Sequence, residues 1–123
     1  MRTIKFRAWD KVNKKMIGGF GIDSTFGYAF IKDFDLGEEY ILECEIMQFT
    51  GLTDKNGKEI YEGDIVVGIH YEDFDTGIGI NTLSEECKPF EVKWDENVYG
   101  WNLYGSDDFR VIGNIYEIPN LLN

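Results

Sequence analysis

Hydrophobic and polar residues alternate near the start of the chain, over residues 4–9. Successive side chains of a strand point to opposite faces, so this period of two predicts a half-buried strand. One face would carry Ile4, Phe6 and Ala8, and the outer face Lys5, Arg7 and Trp9. The polar residues 10–15 predict a turn that lets Met16–Ile17 return as a hairpin partner.

From residue 45 onward, short apolar runs separated by turn residues predict a series of strands. Asn56-Gly57 is the strongest turn signal, because both residues can adopt positive φ at little cost, and it predicts a two-residue hairpin. Gly63-Asp64 followed by a β-branched run is typical of a strand that enters an SH3-type barrel after a sharp turn. The pattern therefore predicts a small barrel, with strands at 45–50, 65–71, 90–94, 101–104 and 109–116.

Two segments lack a readable period. Glycines interrupt the aromatic residues of segment 18–44 and disfavour a long helix there. Within it, residues 36–44 fit a short helical turn or a strand equally well. Residues 72–89 are predicted to form a long loop. After Pro119 a short turn is expected to place Leu121 or Leu122 against the body of the protein.

Composition supports a mainly β protein of one packed domain. Of the 123 residues 43% are hydrophobic, and three Trp, seven Tyr, nine Phe and 14 Gly against two Pro favour strands and turns. No stretch approaches the ~20 apolar residues that span a bilayer, and the first residues do not form a signal peptide. We therefore expect a cytoplasmic protein with no membrane partner, in which Cys44 and Cys87 remain thiols.

Charge is strongly negative and unevenly distributed. The net charge is −11, with 12 basic and 23 acidic residues, but residues 1–15 hold six basic residues and one acid. The acidic remainder repels phosphate backbones, so we expect no direct nucleic-acid binding. The basic strand either stays solvated on its own subunit or pairs with the acidic surface of a second copy. The second alternative predicts a homo-oligomer, with apolar contacts from Trp9, Phe20, Phe26, Tyr28 and Phe30.

The sequence offers little material for catalysis or metal binding. His70 is the only histidine, and pairing it with Cys44 or Cys87 as base and nucleophile would lack an evident orienting residue. Cysteines 43 positions apart do not have the spacing of a zinc site, and the acids at 72–75 lack the register of a calcium loop. No glycine cluster leads into a helix that could hold a phosphate. We expect neither an enzyme nor a cofactor.

Aromatic residues near a predicted turn are the best candidates for a binding site. SH3-type domains present ligand-binding aromatic residues at such turns. Trp94 is expected in the core, or paired across strands with Trp101. The candidate protein-binding surface comprises Trp9, Tyr99, Trp101 and Tyr104.

Four blocks of the sequence resemble the YopX family in order and spacing. They are Lys5-Phe6-Arg7-Ala8-Trp9-Asp10, Met47-Gln48-Phe49-Thr50-Gly51-Leu52, Asp54 to Val66 (DKNGKEIYEGDIV) and Val111-Ile112-Gly113-Asn114-Ile115-Tyr116-Glu117. The resemblance implies an origin in phages and prophages of Gram-positive bacteria and a C-terminal SH3-type barrel. It brings no activity and no catalytic residues. We therefore expect a β-rich extension over residues 1–44, packed on an SH3-like barrel over residues 45–123.

The sequence leaves two main hypotheses for the function. The leading hypothesis is a non-enzymatic phage accessory protein that acts by protein–protein contact, including contact with itself. The alternative is a DNA mimic, whose acidic surface occupies a basic nucleic-acid-binding protein of the host. A small enzyme is the least favoured reading.

Overall fold

The computed structural model describes residues 4–17, 21–23, 28–33, 38–42 and 44–122, with side chains at 4–17 and 44–122. These residues form strands and turns, with a single 3₁₀ turn and no α-helix, which confirms the mainly β class. No helix in these ranges has the length and apolar character needed to cross a membrane. The strands are β1 (Phe6–Asp10), β2 (Lys15–Ile17), β3 (Gly21–Asp23), β4 (Tyr28–Asp33), β5 (Glu38–Leu42), β6 (Cys44–Thr53), β7 (Glu59–Tyr61), β8 (Asp64–Asp75), β9 (Ile80–Glu86), β10 (Phe90–Glu91), β11 (Trp94–Asp95), β12 (Gly100–Trp101) and β13 (Asp108–Asn114).

The first strand lies inside a sheet of order β2-β1-β6-β7, and this position corrects the predicted faces. Trp9 is only 7% exposed and stacks on Tyr116, with ring centroids 6.2 Å apart, whereas Phe6 is 39% exposed. β1 has a neighbour on each side, and Trp9 packs against the C-terminal part of the chain. Ala8, Trp9 and Asp10 are buried in succession, so burial along this part of β1 does not follow the alternation of a strand with one exposed face. The prediction that Trp9 lies on an outer face is therefore wrong.

The turn at Asn56-Gly57 is a hairpin connection, but it is longer than predicted. Gly57 has φ +82°, while Asn56 does not have positive φ. The Gly57 N–H donates to the Asp54 carbonyl at 2.9 Å, and the Asp54 N–H donates to the Lys58 carbonyl at 2.8 Å. This pattern is a type I turn followed by a left-handed glycine, rather than a two-residue loop.

The Asp54 carboxylate holds this turn against β13. It is 6% exposed and accepts the backbone N–H groups of Asn56, Lys58 and Val111 at 2.9, 2.9 and 3.0 Å. Burial by itself would raise the pKa of Asp54, but the three N–H donors together lower it. The buried carboxylate is thus stabilised by the backbone N–H groups whose positions it fixes.

The second sheet has the order β10-β8-β13 and encloses the main core. Its centre is formed by Ile60, Val66 and Val92, each at most 1% exposed. The predicted strand at 65–71 is present within β8, and the predicted strand at 90–94 divides into the short β10 and β11. Partly buried side chains surround this centre: Phe90, Trp101, Leu103, Phe109 and Val111.

Beyond residue 69, β8 continues as one arm of a two-stranded ribbon with β9, which corrects the predicted long loop. The register runs from Ile69 opposite Glu86 to Asp75 opposite Ile80. Every side chain of β9 is exposed, as are those of residues 70–75. Because neither face is buried, the sequence carries no apolar alternation that would have predicted strands here.

The third sheet, β3-β4-β5, is described by its backbone alone. Its strands pair antiparallel. Of the two alternatives for residues 36–44, a helical turn or a strand, the described residues 38–42 form a strand, β5. Phe20 and Phe26, which were candidates for an oligomer contact, lie outside the described residues. At the other end of the chain, Leu121 packs on Gly113, as the predicted C-terminal turn requires.

Basic residues of the N-terminal segment pair with acids of the same chain. The Arg7 guanidinium donates to the Asp64 carboxylate, which is 1% exposed and also accepts the Tyr61 N–H at 2.8 Å. Burial raises the pKa of Asp64, while the Tyr61 N–H and Arg7 oppose the rise. Lys5 likewise pairs with Glu59, and Lys11 with Glu45. Three of the six cations that suggested an intermolecular contact therefore have partners within the subunit.

Candidate protein-binding surface

The short hairpin β11–β12 and the segment after it bring together exposed aromatic side chains. Tyr99, Trp101 and Tyr104, which the sequence predicted as a surface, lie here with Trp94 and Val98. We refer to these five residues as the aromatic surface. Tyr99 is 86% exposed and Tyr104 57%, and both residues neighbour the acid-rich turn at 95–97.

A tryptophan pair forms the base of the aromatic surface. Trp94 and Trp101 are opposite each other in the β11–β12 ladder, and their rings meet edge to face with centroids 5.4 Å apart. Trp101 packs on the main core, while Trp94 is 47% exposed. The predicted cross-strand pair is confirmed, but the expectation that Trp94 belongs to the core is wrong. Both rings lie on the same face of the hairpin, where Trp101 contacts the core and Trp94 keeps about half of its surface exposed.

Tyr99 occupies an unusual backbone conformation. The loop begins with a turn in which the Val98 N–H approaches the Asp95 carbonyl at 3.3 Å and the Asn97 N–H donates to the Asp95 carboxylate at 2.9 Å. Tyr99 closes this loop with φ +51°, in the left-handed region that favours glycine. A bulky, exposed aromatic residue gains little stability there from packing, and the strain is of the kind found at functional sites.

Two polar side chains fix the shape of the aromatic surface. The Tyr104 hydroxyl donates to Asp95 at 2.8 Å, and this hydrogen bond raises the pKa of Tyr104. The Asn102 amide accepts the Lys93 N–H at 2.9 Å and donates to the Glu91 carbonyl at 2.8 Å. Both ends of the hairpin are thereby held before any partner binds.

The surroundings of the aromatic surface are acidic. Residues 91–108 contain five acids and one base, Lys93. Among the described residues, the indole N–H of Trp101 has no acceptor although the nitrogen itself is buried. The site therefore combines apolar contact area with acids close to it along the chain, which favour a basic ligand.

The other sequence candidates lie elsewhere. Trp9 is buried in the first sheet and takes no part in the aromatic surface. Cys44, on β6, is opposite Asp10, far along the chain from His70 in a different sheet. The β8–β9 register places the exposed Cys87 diagonally across from His70, but no hydrogen bond joins these two residues. Both cysteines are present as thiols. His70 instead faces Asp107, with 3.8 Å between Nδ1 and Oδ2.

Sequence reasoning missed Trp94 and Val98 as surface residues. The alternation of Phe90, Val92 and Trp94 predicted a single strand with one buried face. The strand instead breaks at Val92 and Lys93, between β10 and β11, and Trp94 beyond the break is exposed. The short spacing from Trp94 to Trp101 around an acidic turn was the available signal. Within the described ranges no group of three or more metal-binding side chains is present.

Comparisons with known proteins identify relatives of the whole chain. The family described as YopX protein matches residues 5–123. The crystal structure of protein EF1440 from Enterococcus faecalis is similar, with a TM-score of 0.61 and 27% sequence identity over all of both chains. No curated protein matches the chain.

Proposed function

Because this chain belongs to the YopX family, we propose that it is a non-enzymatic phage accessory protein of the host cytoplasm that acts by binding another protein. The aromatic surface is the proposed contact. The observation that carries this proposal is Tyr99, which is 86% exposed and held at φ +51°. A strained, solvent-exposed tyrosine between exposed Trp94 and Tyr104 contributes little to folding, whereas Tyr and Trp are the residues that dominate protein interfaces.

The proposed partner presents a basic, extended segment, and neither nucleic acid nor membrane is bound directly. Asp95 and Glu96, in the turn of the hairpin, favour arginine and lysine, and the Trp94 and Tyr99 rings offer faces for stacking and cation–π contact. The preformed hairpin limits the conformational entropy lost on binding. Proline in the segment would further reduce that loss, because it already favours an extended conformation.

We also propose that residues 45–123 form an SH3-type barrel and that residues 1–44 form an extension packed on it. A single core shared by β7, β8 and β13 supports the barrel, as does an aromatic hairpin placed at its edge. The Arg7–Asp64 ion pair and the β1–β6 ladder support the packing of the extension.

Selection from a random peptide library displayed on phage tests the proposed contact. We expect enrichment of peptides that carry arginine together with proline, and loss of that enrichment in Trp94→Ala and Tyr99→Ala variants. Ile78→Ala is the matched control, since it removes a side chain that is 99% exposed on a different part of the molecule. Failure to enrich any peptide, or the same enrichment with all variants, would contradict the proposal.

Titration with a defined peptide measures the affinity of the aromatic surface for its proposed ligand. A synthetic dodecapeptide of alternating proline and arginine should change the emission of Trp94 and Trp101 and bind the wild type at least tenfold more tightly than Tyr99→Ala. A matched peptide of proline and glutamate should not bind. Equal affinity of the two peptides would exclude the electrostatic part of the proposal.

The DNA mimic remains a second candidate, favoured by the exposed acids of the β8–β9 ribbon. Glu72, Asp73, Asp75 and Glu85 all lie on this ribbon and are exposed. A mimic should capture a basic protein in a salt-sensitive manner through these carboxylates. Two sets of variants distinguish the candidates. If replacing the ribbon acids with neutral residues abolishes binding of the basic protein and Tyr99→Ala does not, the DNA mimic is favoured.

A further inference from the structure

In the β8–β9 ribbon, residues 70–86, strand β9 has one edge that pairs with β8 and one edge that is open. Within the described part of the chain β9 pairs with β8 alone. Its side chains are exposed on both faces, including Ile80 at 73% and Leu83 at 59%. An edge strand of this kind can accept another strand through its backbone.

The hydrogen-bond register identifies which backbone groups of β9 point outward. The Cys87 N–H donates to the Gly68 carbonyl and the Thr76 N–H to the Gly79 carbonyl, both at 2.9 Å. In an antiparallel ladder hydrogen-bonded and non-hydrogen-bonded pairs alternate. Counting along the β8–β9 register from these bonds, the outward N–H and C=O groups belong to Ile80, Thr82, Ser84 and Glu86.

This edge lacks the features that usually block strand pairing. Residues 70–86 contain no Lys, Arg or Pro, and β9 carries no bulge. The five residues 80–84 are uncharged in a chain of net charge −11, with acids at 75 and 85 on either side. The uncharged stretch is as long as a typical strand contact.

We propose that a second copy of this chain occupies the edge, so that two β9 strands pair antiparallel about a twofold axis at Leu83. In this register the outward groups of Thr82 meet those of Ser84, and Ile80 meets Glu86. Leu83 faces Leu83 of the second copy in a close, non-hydrogen-bonded pair. The two ribbons then form one continuous four-stranded sheet.

The charge pattern of β9 permits self-pairing in this register. Glu85 lies opposite Asn81 and Glu86 opposite Ile80, so no acid directly faces an acid. Glu86 is already paired within its own subunit, since Arg110 donates to its carboxylate at 2.7 Å. A shift of the pairing toward the acidic end of β9 would place Glu86 closer to the acids of the other copy and would be disfavoured. A second copy therefore fits this edge without placing any two acids opposite each other.

Salt dependence distinguishes this contact from pairing of the basic N-terminal segment with an acidic surface. The subunits carry equal negative charge and repel at long range, so screening by salt should strengthen a β9–β9 dimer. Attraction between basic and acidic surfaces would weaken with salt. Sedimentation velocity at ~100 μM protein, from low to ~0.5 M salt, should therefore show the dimer fraction rising. A monomer throughout, or a dimer that dissociates as salt rises, would overturn the proposal.

Matched substitutions locate the contact. Leu83→Lys places two like charges at the twofold axis and should lower the association constant at least tenfold. Ile78→Lys is the control, because Ile78 is 99% exposed at the tip of the same ribbon and lies outside the paired residues. Equal loss in both variants, or loss in Ile78→Lys alone, would contradict the proposed register.

A cross-link tests the register directly. In a Cys44→Ser, Cys87→Ser background, Leu83→Cys should form an intersubunit disulfide on mild oxidation, because the residue faces its own copy at disulfide distance. Asn81→Cys, on the same ribbon face, should not, since its counterpart would be four residues out of register. Efficient cross-linking of both variants, or of neither, would overturn the proposed pairing. Neither variant touches the aromatic surface, so this result is independent of peptide binding there.

Discussion

The two halves of β8 have the same backbone conformation and opposite environments. Residues 64–69 are all buried, with Ile65 and Val66 fully inaccessible, whereas residues 70–75 are all exposed. The first half is flanked by β10 and β13, and the second has β9 as its main partner. One continuous strand thus contributes to the core at one end and forms an exposed, projecting surface at the other.

The sequence of β8 reflects this division. The first half is a nearly continuous apolar run, as expected where both faces are covered, and the second half mixes two aromatic residues with His70 and three acids without a regular period. The first half should therefore contribute most of the strand's share of the free energy of unfolding, and the second half very little. Substitutions in each half test this difference.

The largest difference is expected for isoleucine truncation. Ile65→Ala should lower the free energy of unfolding by about 3–4 kcal/mol, because it leaves a cavity in a closed core. Ile80→Ala, on the ribbon, should change it by about 0.5 kcal/mol or less. Urea denaturation at pH 7 measures both values. A loss of more than ~2 kcal/mol for Ile80→Ala would mean that the ribbon belongs to the cooperative core.

The polar contact at the start of β8 should have the next largest effect. Arg7→Met should cost about 2–3 kcal/mol at pH 7, because it leaves the Asp64 carboxylate buried without its cation. Lys5→Met is the matched control, since the exposed Lys5–Glu59 pair is screened by solvent and should contribute far less to stability. Similar costs for the two variants would contradict a special role of burial.

The cost of Arg7→Met should also depend on pH, with a defined sign. Burial raises the pKa of Asp64 above its ordinary value of 3.8, and loss of Arg7 removes one of the contacts that oppose this rise. A carboxyl with a raised folded pKa contributes stability below its unfolded pKa and loses it as pH rises through the folded value. The deficit of the variant relative to wild type should therefore be smaller near pH 4 than at pH 7. A deficit that grows on acidification would exclude this account.

A smaller effect is expected from crowding within the buried half. A methyl group at Gly68 would lie 2.2 Å from the Ser106 hydroxyl oxygen and 3.0 Å from its Cβ. Gly68→Ala should therefore destabilise by about 1–2 kcal/mol, and Ser106→Gly in the same chain should restore part of that loss. Thermal unfolding of the single and double variants gives the coupling. Additive costs would show that this contact is not the cause.

The smallest effect concerns the aromatic surface and has the opposite sign. Tyr99→Gly should stabilise the fold by about 0.5–1 kcal/mol, because glycine adopts φ +51° without strain and the tyrosine buries little area. Tyr99→Ala keeps the strain and should gain nothing. If alanine and glycine were equally stable, the backbone conformation would carry no cost and the main argument for a functional Tyr99 would fail.

Local sequence determined those features that depend on neighbours along the chain. The β class, the strand at 65–71, the hairpin position at Gly57 and the family membership follow from periodicity, turn chemistry and short motifs. The exposure of Tyr99 and Tyr104 was also predictable, because both residues lie near a turn.

Tertiary structure alone decided which face of each strand is covered. Trp9 is buried and Trp94 is half exposed, the reverse of the prediction. Trp9 packs on Tyr116 from the other end of the chain, and the strand breaks at Val92 and Lys93; alternation encodes neither feature. The ribbon at 70–86 escaped prediction for the complementary reason. A strand pair stabilised by backbone hydrogen bonds, with no buried face, leaves no hydrophobic period in its sequence.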